Sequence, residues 1–169
     1  RSLVGSEMCI RDRCFDELEY LNIDVLGMKG KSRVINIPDD REQLWQQIEN
    51  VLRNPVIRRF VLREDKKLEK KAGISALCEY SLLSDNVYPT YAVTKKELKD
   101  SGVKVEKQVS ELEEIGCVVL ELGYFIDFLG KGFQDPLSVV LSFTGEEQEE
   151  ERVDISINEM LEEYVWSKD

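Results

Sequence analysis

The alternation of apolar and polar positions is clearest in the middle of the chain. Across residues 71–93, KAGISALCEYSLLSDNVYPTYAV, Ile74, Leu77, Cys78 and Leu82 recur at three- and four-residue spacing, which lines one face of an α-helix. Ser84, Asp85 and Asn86 break that period. After Pro89 the run Thr90, Tyr91, Ala92, Val93 is β-branched and aromatic, the composition of a strand. A helix feeding a strand at mid-chain is the expected nucleus of a mixed α/β core.

Upstream, Phe15, Leu18 and Leu21 predict a short helix over 14–21 with one buried edge. Residues 23–26 then read as a strand, Lys29-Gly30-Lys31-Ser32 as a turn, and 33–37 as a returning strand that Pro38 ends. Asp39 or Asp40 can cap a helix over 41–53, with Leu44, Ile48, Val51 and Leu52 on its apolar face, Trp45 widening it and Asn54-Pro55 stopping it. Residues 56–62, VIRRFVL, suit a strand, although Arg58-Arg59 could also end the preceding helix. Residues 65–71, DKKLEKK, read as a charged, solvated connector, with a nucleic-acid patch as the lesser alternative.

Downstream, Thr94 and Glu97 have capping-box spacing, and Gly102 stops a short helix over 95–101. Val105, Val109 and Leu112 suggest a weak amphipathic helix through Glu114. The run 117–122, CVVLEL, is apolar enough for the inside of a sheet. An apolar stretch, Tyr124 to Phe128, ends at Gly130-Lys131-Gly132. Asp135-Pro136 supplies an N-cap and an N1 proline for a helix over 137–143, whose alternating Leu137, Val139, Leu141 and Phe143 would equally suit a strand. Residues 145–151 read as an acidic, mobile linker. A closing helix carries Val153, Ile157, Met160, Leu161 and Tyr164 on one face, with Trp166 as its anchor.

The fold class expected from these elements is α+β. Composition narrows the function classes. A chain of 169 residues, 42% of them hydrophobic, suits one ordinary domain with its own core. No apolar run approaches the roughly 18 residues of a membrane span, and no continuous apolar h-region marks a signal peptide. The four cysteines form no CxxC pair, which favours reduced thiols and a cytoplasmic protein. Histidine is absent, so Ser-His-Asp and Cys-His mechanisms are excluded and the usual zinc ligand is missing. The formal net charge of −11 repels nucleic acid on average, so any DNA contact must be local and salt-sensitive.

Residues 3–13, LVGSEMCIRDR, resemble the conceptual translation of a transposase-type sequencing adapter. Residues 1–13 are therefore set aside as an artefactual segment, and the chain from Cys14 onward is expected to be the C-terminal part of something longer. On that footing 14–37 is a winged-helix remnant, the end of a recognition helix and a wing, and 38–169 is a C-terminal α/β effector or oligomerisation domain. Helix, strand, basic glycine turn, strand is the closing half of a winged helix. A plain hairpin with a solvated basic tip is the alternative. Lys29, Lys31 and Arg33 form a cationic cluster in an acidic chain, as phosphate contact requires. Asp16, Glu17 and Glu19 would face phosphate badly, unless this is only the C-terminal half of a recognition helix.

Several segments resemble a group of bacterial MarR-type, or winged-helix, transcriptional regulators common in Firmicutes. They are CFDELE with the following KGKSR wing, LWQQIENVLRNPVIRR, AGISALCEYSLLSD with YPTYAV, QDPLSVVLSF, and the final ERVDISINEMLEEYVW. The resemblance implies a winged helix joined to a C-terminal domain, with Lys29, Lys31 and Arg33 as wing residues that contact DNA. It implies no catalytic, metal-binding or cofactor-binding residue and no cofactor. A more distant likeness to AbiEi-type antitoxin regulators suggests an antitoxin-like partner-binding module instead. The chain as it stands lacks helices ahead of Cys14, so it is not expected to read DNA sequence by itself. Homo-oligomerisation is compatible with the class.

One enzymatic alternative is a metal-dependent nuclease built on Glu97-Leu98-Lys99, with Asp127 and Asp135 as further metal ligands. Such a triplet is expected by accident in a chain with 34% charged residues; Glu69-Lys70-Lys71 is another. Capping accounts for Glu97 without it. Gly130-x-Gly132 lacks the further spacing of a phosphate loop. Tyr80, Tyr88 and Tyr91 could line a pocket but suit packing better. Ser75, Ser81 and Ser138 have no histidine to activate them. The chain is therefore not expected to be an enzyme.

Overall fold

The computed structural model describes residues 2–84, 88–102 and 114–167, with side chains from Ile10 onward. It is an α+β structure that divides into two compact units, residues 1–52 and 53–169. The helix after Pro38 thus belongs with the hairpin, and the division falls 15 residues beyond the 37/38 boundary read from sequence.

The first unit holds α1 (Ser2–Tyr20), the antiparallel pair β1 (Leu26–Lys29) and β2 (Ser32–Ile35), and α2 (Arg41–Ile48), which tightens into a 3-10 turn over Glu49–Val51. Helix α1 runs through the adapter-like segment and is longer than the 14–21 expected. The apolar Ile23 and Val25 are buried in the bend before β1 rather than extended in it. Asp40 caps α2, its carboxylate accepting from the Glu42 and Gln43 N–H groups, which is worth about 1 kcal/mol.

The second unit is built on a three-stranded sheet of order β3 (Val56–Leu62), β5 (Cys117–Leu122), β4 (Thr90–Thr94). Strand β5 is antiparallel to β3 and parallel to β4. All six residues of β5 are buried, as a central strand covered on both faces requires. Helix α4 (Lys95–Asp100) opens the crossover from β4 to β5, which a parallel pair needs. Its Thr94–Glu97 capping box forms as the spacing predicts. The helix expected over 105–114 lies almost wholly outside the described residues.

One sheet face carries Leu62, Tyr91, Val93, Cys117 and Val119 with Leu98 of α4 against them; the other carries Ala92, Val118, Leu120 and Leu122. A helical core of α3 (Gly73–Tyr80), α5 (Pro136–Ser142) and α7 (Glu151–Leu161) packs Leu77, Tyr80, Val139, Val153 and Met160. Gly73 opens α3 at φ +50°, a left-handed backbone conformation that glycine adopts without strain.

The acidic linker is a correction. Thr144 and Glu147 form a second capping box, and residues Gly145–Gln148 make a short helix, α6. The closing helix ends in a π-helical turn over Glu162–Trp166. No described helix is long and apolar enough to cross a membrane.

Candidate nucleic-acid interface

The hairpin is closed by the pair Lys29 and Ser32, leaving a two-residue loop of Gly30 and Lys31. Gly30 sits at φ +65°, the positive-φ first position that glycine supplies in tight hairpins. Met28 pairs with Arg33, Gly27 with Val34 and Leu26 with Ile35. Lys29, Gly30 and Lys31 are all exposed, and among the described residues neither lysine has an ion-pair partner. The tip therefore presents two ammonium groups to solvent.

Arg33 lies differently. Its guanidinium donates to Asp16 at 2.6 Å, stands 3.8 Å from Glu19 and 3.9 Å from Asp12, and sits 5.2 Å above the Phe15 ring. The Asp16 hydrogen bond, with the nearby carboxylates, raises its pKa above the ordinary value. Asp12, Asp16 and Glu19 repeat at four- and three-residue spacing along one face of α1, and that acidic face meets the hairpin through Arg33. Arg33 clamps β2 to α1, whereas Lys29 and Lys31 reach outward. An exposed pair of this kind fixes geometry more than it adds stability. Glu19, Asn22, Ile23, Asp24 and Leu26 border a small cleft of about 420 Å³ beside the junction.

The nuclease residues are engaged elsewhere. Glu97 accepts from the Thr94 N–H and from Lys70, and those bonds hold its carboxyl below the usual range, the Lys70 bond being the larger cause. Asp127 accepts from the N–H groups of Lys131 and Gly132, and Asp135 caps α5 through the Ser138 N–H. Among the described residues no group of three or more cysteine, aspartate or glutamate side chains is placed to hold a metal ion. Gly130 and Gly132, at φ +64° and +79°, belong to that Asp127-bonded turn.

The tyrosines divide. Tyr80 is buried in the helical core, donates to the Gln134 carbonyl at 3.0 Å, and is pushed up to about 12 by burial and then by Asp135. Tyr91 is buried in the sheet and donates to Asp65. Packing explains both. Burial also raises the Cys117 thiol, which makes it a poor nucleophile, and Cys14 and Cys117 form no disulfide.

No family model, curated protein or solved structure matches the chain.

Two constellations escaped the reading of the sequence. Glu121, 2% exposed and next to last in β5, is bonded by Arg58 across the strand pair. A lone glutamate inside CVVLEL was the available signal. Gln134 is wholly buried and joins two helices: its Oε1 accepts from the Gly73 N–H, and its Nε2 donates to Ser142 Oγ at 2.8 Å and to the Ser138 carbonyl at 3.3 Å. Nothing in the sequence around Gln134 marks it. An acidic cleft of about 690 Å³ also opens beside the π-helical turn, lined by Glu79, Glu159, Glu162 and Glu163 together with Tyr80 and Tyr164.

Proposed function

We propose that this chain is part of a winged-helix transcriptional regulator and that its β1–β2 hairpin is a wing that touches the DNA backbone. The observation that supports this reading is the hairpin tip: two exposed lysines on a glycine turn, without ion-pair partners among the described residues and held at a fixed place against the preceding helix. On this reading Lys29 and Lys31 each meet a phosphate, and Arg33 positions the hairpin. Its acidic surroundings keep the α1 face it contacts away from phosphate.

Contacts of this type position a protein without reading sequence. The chain is accordingly a weak, sequence-indifferent binder of duplex DNA, acting in the cytoplasm, with which its free thiols agree. The second unit serves as the effector or oligomerisation part, and Glu97 belongs to a helix cap rather than to a metal site. The deciding experiment follows binding of a labelled random-sequence duplex at about 50 mM salt, where backbone contacts are strongest. Binding that falls steeply with added salt, and that weakens and loses part of its salt dependence on replacing Lys29 and Lys31, supports the wing. An absence of binding at low salt refutes it.

A further inference from the structure

We infer that the outer edge of β3 is a docking strand for an extended, acidic segment of another protein. This rests on the second unit alone and not on the wing.

The two sides of the sheet are finished differently. Beyond β4 the chain supplies its own cover: the Ala72 N–H bonds to the Thr90 carbonyl at 3.1 Å and the Ala92 N–H to the Lys70 carbonyl at 2.8 Å. Lys71 in turn exchanges backbone bonds with Gly132 and Gln134. Strand β3 has β5 on one side and, among the described residues, no strand on the other. It is seven residues long, and Ile57, Arg58 and Arg59 are exposed, Ile57 at 57%. Apart from the Val56 N–H, which bonds to Asn54, the outward N–H and C=O groups of β3 face no strand among the described residues and are open to an incoming one.

Charge chooses the occupant. Arg58 and Arg59 are successive strand residues and point to opposite faces; Arg58 bonds Glu121 and Arg59 bonds Glu147 at 2.9 Å. Both arginine side chains remain substantially exposed, at 54% and 38%, and each guanidinium has more donors than its carboxylate partner uses. A second copy of this chain would bring the same arginines to the same edge. The register shift between Val56 and Arg58 leaves Ile57 as a bulge, so regular pairing with an incoming strand runs from Arg58 to Leu62. The complement is a strand with two adjacent acidic residues, one for each face, and an apolar residue over Ile57.

The test uses the full chain and a capped seven-residue peptide of valine and threonine around a central Glu-Glu pair, with a Lys-Lys version as control. Amide hydrogen exchange should slow across residues 56–62 with the Glu-Glu peptide only. Arg59→Glu should weaken binding roughly tenfold while Arg59→Lys retains most of it, since exposed charges set selectivity at such an edge. No protection at about 1 mM peptide, or equal protection by both peptides, overturns the proposal. Slow exchange of β3 without peptide in a sedimenting dimer also overturns it, by making a second copy the occupant.

Discussion

Replacing Lys29 and Lys31 together by alanine is the sharpest test of the wing. Both side chains are exposed at a two-residue turn and unpaired among the described residues, so their loss leaves the rest of the first unit intact. Each phosphate contact contributes about 0.9 to the slope of log K against log salt, so two lysines account for about 1.8. Between 50 and 200 mM salt that slope alone corresponds to a loss of about 12-fold in affinity, which the double variant should not show. Fluorescence anisotropy of a labelled duplex across that salt range measures both slopes. A variant slope within about 0.5 of the parent would refute the assignment of phosphate contacts to the tip.

Arg33→Ala should speed amide exchange across β1 and β2, because the clamp on Asp16 is gone, while leaving the salt slope unchanged; a slope that falls with it would make Arg33 a phosphate ligand. Gln134→Leu leaves the buried Gly73 N–H without its acceptor and should cost about 1–3 kcal/mol by urea unfolding, since Ser142 keeps its own bond to the Ser138 carbonyl. Gln134→Glu at neutral pH should cost more, because it buries a charge without a cationic partner, and a smaller cost would contradict the described network. Glu97 has a depressed pKa in the folded state, so its contribution is present above the usual value of 4.5 and is lost as pH falls through the folded value. Glu97→Gln should therefore flatten the acid side of the stability curve, and the pair with Lys70, 44% exposed on the glutamate side, is worth no more than about 1 kcal/mol.

What could be read from the sequence was mostly local chemistry. Asp40, Thr94 and Asp135 cap helices because a short acceptor ahead of a helical run satisfies orphan N–H groups wherever the fold places it. Thr144 and Glu147 carry the same signal as Thr94 and Glu97, hidden by the acidic composition around them. Ile23 and Val25 show where local reading stops: apolar character announced burial, but the bend that buries them depends on packing within the unit. Helix α2 gives way to a 3-10 turn at Glu49, ahead of the expected end at Arg53, and Val51 and Leu52 on the expected apolar face stand exposed at 39% and 40%. Within the candidate site, the exposure of Lys29 and Lys31 followed from the glycine turn. The capture of Arg33 did not, because it depends on which face of α1 meets the hairpin, and only tertiary structure sets that.

Arg58 and Arg59 look equivalent in the sequence and are not equivalent in the fold. Arg58 is the partner of a carboxylate that is 2% exposed, and drawing it away would strand a buried charge, a change that costs several kcal/mol. Glu147 is 32% exposed, so water can replace Arg59 there at little cost. An acidic strand arriving at β3 can thus recruit Arg59 outright but must share Arg58 with Glu121. Substitutions at Arg58 should act first on folding, and those at Arg59 on binding. A partner-binding edge of this construction is weak for each contact and readily exchanged, and its selectivity rests on the arginine that is free to turn.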